Sequence, residues 1–378
     1  ITNIVNPGFI AIVSVLIISS LLLVVTVGAL MRSVDESDIS LGEQLSNSAL
    51  ALANACAEDA ILKLKNNLGY TGNENIMDKY YVESPGQIIN AMESITSNHR
   101  KWLMIVRFNG KEFNDLQIRN VLDFYKENNF ISDSNCILEV NGFFAFFTRF
   151  VFLLCRFGFD NIYVGCHKSK YLTIFRKFGF SMTLLDDGVA TLAYHRNLIT
   201  SDNIKKILNY YTYLDLEPVA KGHMVFANKF SCIKSLLPAK RNKGGAIFYG
   251  AKYIEVGIFT KEEYCVYLQR IFNILGVDDI TYVPHRGEDS YNFEAYKEIG
   301  FHIRRTELPS ELDLITMKTK PTLVAGFFTA SLLTSKIICS DLDVISFKFK
   351  KQDKVKNNEL EYIYSYYERF CKVICLDE

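Results

Sequence analysis

Ile280-Thr281-Tyr282-Val283-Pro284-His285-Arg286-Gly287-Glu288 is the stretch from which the fold can be read. Four residues of strand character end at a proline, which cannot donate to a sheet ladder. His285 and Arg286 come next, both hydrogen-bond donors, and Ser290–Ile299 then has a helical pattern. A strand, a donor-bearing turn and a helix make the repeating unit of a parallel α/β sheet. The same unit recurs on both sides: the sequence predicts strands at Ala246–Tyr249, Leu323–Ala325 and Lys336–Cys339, with helices at Lys261–Leu275, 329–335 and Asn358–Phe370.

An earlier series has the same alternation. Strands are expected at Tyr80–Glu83, Trp102–Arg107, Cys136–Val140, Asn161–Cys166 and Met182–Leu185, with helices at Gln87–Thr96 and Leu116–Asn128. The expected fold class is therefore α/β: two Rossmann-like domains, 77–215 and 244–378, joined by a linker at 216–243 and facing a cleft. Ligands of open parallel sheets bind beyond the carboxyl ends of the strands, which is where this cleft lies.

Residues 1–76 read differently. Phe9–Met31 is an uninterrupted run of uncharged, mostly apolar residues, long enough to cross a bilayer as a helix of about 20 residues. No basic segment precedes it, as one would in a removable signal peptide. Residues 41–68 are Ala-rich, with Leu41, Leu45, Leu52 and Cys56 at helical spacing, and Gly69 and Gly72 end the pattern. This part has three basic residues against seven acidic ones; with a formal net charge of zero for the chain, the remainder is net positive by four. That excess suits an anionic small ligand and is far from the dense basic face of a nucleic-acid binder. The nine cysteines show no CxxC pair, so buried thiols are expected and no metal site is assigned.

Three constellations can carry chemistry, and each taken alone also has an ordinary structural reading. Asp186-Asp187-Gly188 follows a strand directly; adjacent carboxylates raise each other's pKa, which suits a base, whereas Asp-Gly after a strand is commonly a turn. His285 and Arg286 can donate to a phosphate, or His285 can be a satisfied structural histidine. Thr329, Ser331 and Thr334 lie at a strand–helix junction, where hydroxyls and a helix N-terminus can hold a phosphate, or where one hydroxyl simply caps the helix.

Order and spacing give more than any one motif. Ile247-Phe248-Tyr249-Gly250, Glu255, Thr260-Lys261-Glu262-Glu263-Tyr264, the Tyr282–Arg286 segment, Leu308-Pro309-Ser310-Glu311-Leu312 and Gly326–Thr334 together resemble the bacterial lipooligosaccharide sialyltransferases (glycosyltransferase family 52-like). Upstream, Glu83-Ser84-Pro85 with Gln87 and Asn90 resembles that family's first strand and loop, and Asp186-Asp187-Gly188 its acidic motif. The N-terminal part, with Gly8-Phe9 before the apolar run, resembles the stalk of type IV pilin-like proteins, in which Glu holds the fifth mature position where this chain has Val13.

The sialyltransferase resemblance implies a GT-B fold and an inverting, metal-independent transfer of sialic acid from CMP-sialic acid to a galactose-type acceptor. No cofactor is implied beyond the donor substrate. Asp186, or next Asp187, is the implied base. His285, Arg286, Gly250, Glu311, Thr329, Ser331 and Thr334 are implied on the CMP side, with His285 also stabilising the departing phosphate. Ser84, Pro85 and Gln87 are implied on the acceptor side. In related families Pro often follows the histidine, where Arg286 stands here, and a hydroxyl pair often occupies Ala330-Ser331.

The expected partners are a nucleotide-sugar donor, a glycan acceptor and, through residues 9–31, a membrane; no nucleic acid is expected. A pilin stalk places the residues after 31 outside the cytoplasmic membrane, whereas nucleotide sugars are made inside. The expectation is thus the cytoplasmic face of the inner membrane, or the cytoplasm if Met77 is a native start in a fused reading frame. Three rivals remain: a pilus or surface component, a transferase of another CMP-linked keto-sugar or one needing a metal, and an inactive glycan-binding relative.

Overall fold

The computed structural model describes residues 77–98, 101–131, 136–141, 161–167, 181–186, 188–200, 209–238, 240–349 and 357–377. The chain divides into two compact units, Ile1–Glu74 and Asn75–Glu378. The apolar run 9–31 and the helical stretch 41–68 expected from sequence lie outside the described residues. Among the described residues no helix is long and apolar enough to cross a membrane.

The second unit is built on two parallel sheets. The first takes β1 (Met77–Val82), β2 (Lys101–Phe108), β3 (Cys136–Asn141), β4 (Asn161–Val164), β5 (Ser181–Leu185), β6 (Asn209–Thr212) and β7 (Val225–Ala227) in the order β3-β2-β1-β4-β5-β6-β7. Helices α1 (Pro85–Asn98), α2 (Glu112–Glu127) and α3 (Val189–Thr200) lie between its strands, and α4 (Ser231–Ser235) follows β7. Buried on both faces, β2 is a near-continuous apolar run with Trp102, Met104, Ile105, Val106 and Phe108 all buried, as central parallel strands are.

After a two-residue strand, β8 (Asn242–Lys243), come β9 (Ala246–Tyr249), α5 (Lys261–Leu275), β10 (Ile280–Val283), α6 (Phe293–Ile299), β11 (His302–Ile303), α7 (Ser310–Thr316), β12 (Thr319–Lys320), β13 (Leu323–Gly326), α8 (Ala330–Ile338), β14 (Asp343–Lys348), α9 (Asn357–Tyr367) and β15 (Lys372–Cys375). The second sheet runs β11-β10-β9-β13-β14-β15, and β8 pairs with β12 beside it. In each sheet the order reverses next to its first strand, beside β1 and beside β9, opening a crevice at the strand ends.

Local signals account for the element ends. Thr260 and Glu263 form a reciprocal capping box at the start of α5, and Gly276, at φ 58°, closes its other end in the left-handed region. Alternation then assigns the faces of β9: Ile247 and Tyr249 join the core shared with the first sheet, while Ala246 and Phe248 enter an aromatic core behind the second. That rear core stacks Phe248, Tyr253, Phe259, Tyr264, Tyr282 and Phe327 at ring-edge and tilted contacts.

Two expectations change. Lys336–Cys339, expected as a strand, finishes helix α8, and the strand is Asp343–Lys348. Four residues, the first of them Lys336, carry no decisive period, and Leu332, Leu333, Ser335 and Ile338 bury one helical face. The stretch 216–243, expected as a linker, contributes β7 to the first sheet and α4 to its core.

Helix α4 depends on a distant residue. Glu93 of α1 is 1% exposed, and its two carboxylate oxygens accept from the Cys232 and Ile233 amides at 3.0 and 2.8 Å. Burial raises its pKa above the usual carboxylate range, against the lowering by these amides. Glu93→Ala leaves two buried amides unpaired, and we expect it to cost about 2–4 kcal/mol, read as a lower denaturant midpoint at unchanged slope.

Candidate functional site

A cavity of about 540 Å³ lies where the strand ends of the two sheets face one another. The first sheet contributes Ser84 and Pro85 beyond β1, Asp186 beyond β5 and Tyr213 beyond β6. The second contributes Gly250 beyond β9, Pro284, His285 and Arg286 beyond β10, and Phe328 and Thr329 beyond β13. Glu311, Ser331 and Thr334 complete the sequence-expected residues on the wall.

Asp186 is held on every side. It is 1% exposed; its Oδ1 accepts from the Gly188 amide at 2.9 Å, its Oδ2 from the Thr212 hydroxyl, and its carbonyl from Asn90 Nδ2 at 3.0 Å. Asn228 donates to Asn90 Oδ1 at 2.8 Å, which fixes the orientation of that amide. Gly188 is required twice over: its φ is +65°, and a Cβ there would lie 2.8 Å from Cβ of Ala330 at the head of α8. The acidic turn therefore abuts the hydroxyl-bearing helix of the opposite sheet. Asp187 lies outside the described residues.

His285 has a defined tautomer. Its Nδ1 accepts from the Gly287 amide at 3.0 Å, so the ring proton sits on Nε2 and that nitrogen is the donor. Burial, then the charges of Arg286 and Lys252, lower its pKa to about 4. The imidazole is neutral at physiological pH unless an anion arrives. Arg286 and Lys252 are exposed on the same wall, giving it positive charge beside a neutral donor.

The hydroxyl residues divide. Ser331 shares a hydrogen bond with Ser310 at 2.8 Å, beside the start of α8, whose N-cap residue Thr329 makes no side-chain cap; the first turn of α8 faces the cavity without a capping side chain. Thr334 is 1% exposed and donates to Glu311 Oε1 at 2.8 Å, and Ser310 donates to Glu311 Oε2 at 3.1 Å. Thr334 thus orients Glu311, and its hydroxyl is directed to that carboxylate. Gln87 leaves the acceptor side: it is buried, absent from the wall, and its Oε1 accepts from the Glu83 amide at 2.8 Å, closing the turn after β1.

Several wall residues were not singled out from sequence. Lys252 stands two positions beyond Gly250, and a cation just past a strand end is a readable signal. Tyr213 follows β6, a strand not assigned from sequence. Phe230, held at φ 51°, carries no sequence signal for its place. Gly250 itself is needed for space: a Cβ there would lie 2.4 Å from both Glu288 Oε1 and the Tyr282 hydroxyl.

No protein-family model matches the chain, and no curated protein matches it. Among solved structures it is similar to an alpha/beta-galactoside alpha-2,3-sialyltransferase from Photobacterium phosphoreum (12% identity, TM-score 0.46, 79% of this chain and 99% of that one). It is also similar to a Methanocaldococcus jannaschii UDP-GlcNAc 2-epimerase (10% identity, TM-score 0.46, 78% and 92%) and to the Escherichia coli heptosyltransferase WaaC with ADP (8% identity, TM-score 0.39, 78% and 99%).

Gly250→Ala is expected to cost about 2–3 kcal/mol through overpacking against Glu288 and Tyr282. Gly86→Ala, where a Cβ meets nothing within 4 Å, serves as the control and should shift stability by less than about 0.5 kcal/mol in the same denaturant titration.

Proposed function

We propose that the unit Asn75–Glu378 is an inverting, metal-independent glycosyltransferase that moves sialic acid from CMP-sialic acid to a galactose-type acceptor on a lipooligosaccharide or surface glycan. One observation carries the reading: a buried carboxylate from one sheet, Asp186, and a donor-bearing imidazole from the other, His285, line the same sugar-sized cavity. The sequence motifs resembling the sialyltransferase family supply the donor class.

In this mechanism Asp186 accepts the proton of an acceptor hydroxyl, whose oxygen attacks the anomeric carbon as the bond to CMP breaks. The Thr212 and Gly188 hydrogen bonds hold the carboxylate in place while it does so. On the other wall, His285 donates Nε2–H to the departing phosphate. Arg286, Lys252 and the first turn of α8 near Ser331 add positive potential where negative charge grows. Glu311, oriented by Thr334 and Ser310, accepts hydrogen bonds from the nucleoside hydroxyls. Ser84 and Pro85 shape the acceptor end. The proposed location is the cytoplasmic face of the inner membrane, where nucleotide sugars are available.

The full chain incubated with CMP-sialic acid and lactose should release CMP and form a sialylated product, with excess chelator leaving the rate unchanged. Asp186→Asn should keep the fold and lower the rate about 10²–10⁴-fold. A full rate in that variant removes Asp186 from the base role. A panel of other CMP-linked keto-sugars and UDP-sugars decides the donor.

A further inference from the structure

The loop that bears His285 is tied to an element that takes no part in the transfer chemistry. Glu288 is 3% exposed, and its backbone closes a turn by donating to the His285 carbonyl at 2.8 Å. Its carboxylate folds back over the same turn: Oε1 accepts from the His285 amide at 2.6 Å and Oε2 from the Tyr282 hydroxyl at 2.7 Å. The Tyr282 hydroxyl is 3.0 Å from that of Tyr264, which accepts from the Ala251 amide at 3.4 Å. One buried acid thus links the His285 loop to the Gly250–Ala251 loop through two tyrosines.

We propose that Glu288 is the positioning residue for His285, fixing the turn that presents Nε2 to the cavity and coupling anion binding there to proton uptake. The proposal rests on the reading of His285 as the phosphate contact.

The chemistry allows both charge states with the turn intact. Ionised, Glu288 accepts from Tyr282. Neutral, it still accepts from the His285 amide through Oε1, while its own proton on Oε2 donates to the Tyr282 oxygen and the tyrosine pair reverses direction. Burial raises the Glu288 pKa to about 7, despite the lowering by the Tyr282 and His285 hydrogen bonds. Of the charged groups facing it, Glu255 raises that value and Arg305, which donates to the Glu288 carbonyl at 3.0 Å, lowers it. Tyr264, Tyr282 and Tyr296 pack around the carboxyl from α5, β10 and α6, and burial holds all three neutral.

An anion bound beside this turn disfavours a second negative charge, so it favours neutral Glu288. Binding therefore takes up a proton, and affinity falls as pH rises through about 7.

Two measurements on the full chain test this. In nitrogen NMR of histidine-labelled protein without ligand, wild-type His285 should show the Nε2–H tautomer and stay neutral down to about pH 4. Glu288→Gln, which reproduces the neutral carboxyl, should keep both properties. Glu288→Ala should move the His285 titration toward the ordinary value of about 6.5.

In calorimetry with CMP, Glu288→Ala should bind about tenfold more weakly. Wild type should lose affinity between pH 6.5 and 8. Glu288→Gln should not share that loss; the phosphate's own ionisation is common to both and cancels in the comparison. An unchanged His285 titration and CMP affinity in Glu288→Ala overturns the proposal. So does a Glu288→Gln affinity that falls with pH as steeply as wild type, and this arm decides if the alanine variant does not fold. If wild type binds no CMP while Glu288→Ala still shifts His285, the donor reading fails and the positioning role stands.

Discussion

The two sheets meet at Gly188 with no room for a side chain there. A Cβ at Gly188 would lie 2.8 Å from that of Ala330, so the acidic turn fits against the first residue of α8 only with glycine at 188. The contact holds the Asp186 turn against the helix that begins beside Ser331. Polar ties at the edges keep the halves in that alignment: Gln117 and Asn120 of α2 donate to the carbonyls of Thr306, Leu308 and Glu307, and Arg305 lies over the Phe113 ring at 4.8 Å. The chain end adds a third set, with the Tyr366 hydroxyl accepting from the Asp215 amide at 2.7 Å, Arg369 paired with Asp215, and Arg196 over Tyr362.

Two kinds of polar group then line the cavity. On the first sheet, Asp186 is a buried carboxylate whose two oxygens accept from the Gly188 amide and the Thr212 hydroxyl. On the second, His285 is a neutral ring among cations, a setting that disfavours its charge until an anion enters. In the transfer proposed above, a carboxylate on one wall and a hydrogen-bond donor on the other would act at two distant atoms of one reaction.

Much of this was readable in the chain. The limits of β9, α5 and β10 coincide with the sequence reading, because each is bounded by an explicit signal: Thr260 and Gly276 for the helix, Gly250 and Pro284 for the strands. Where such signals are missing the reading failed. Lys336–Cys339 is too short to show a period, β6 mixes aromatic and polar residues, and β7 has only three residues. Losing β6 also lost Tyr213, since a residue can be placed at a strand end only when the strand is known. Gln87 and Thr334 show what sequence does not reveal: Gln87 is spent on the Glu83 amide and is absent from the wall, and Thr334, on the wall, is directed to Glu311.

Helix α9 has a consequence for how the protein is made. Its residues Ile363, Tyr366 and Tyr367 belong to the same apolar cluster as Tyr80, Met104 and Leu184 of the first sheet. During synthesis the first sheet emerges from the ribosome long before α9 does, and until then part of its apolar surface has no cover. Domains usually complete their cores in order of translation; here the earlier half waits for the last helix. Premature termination between β7 and α9 therefore leaves the first sheet with all its strands but with part of its apolar cluster uncovered, a form suited to chaperone capture or aggregation.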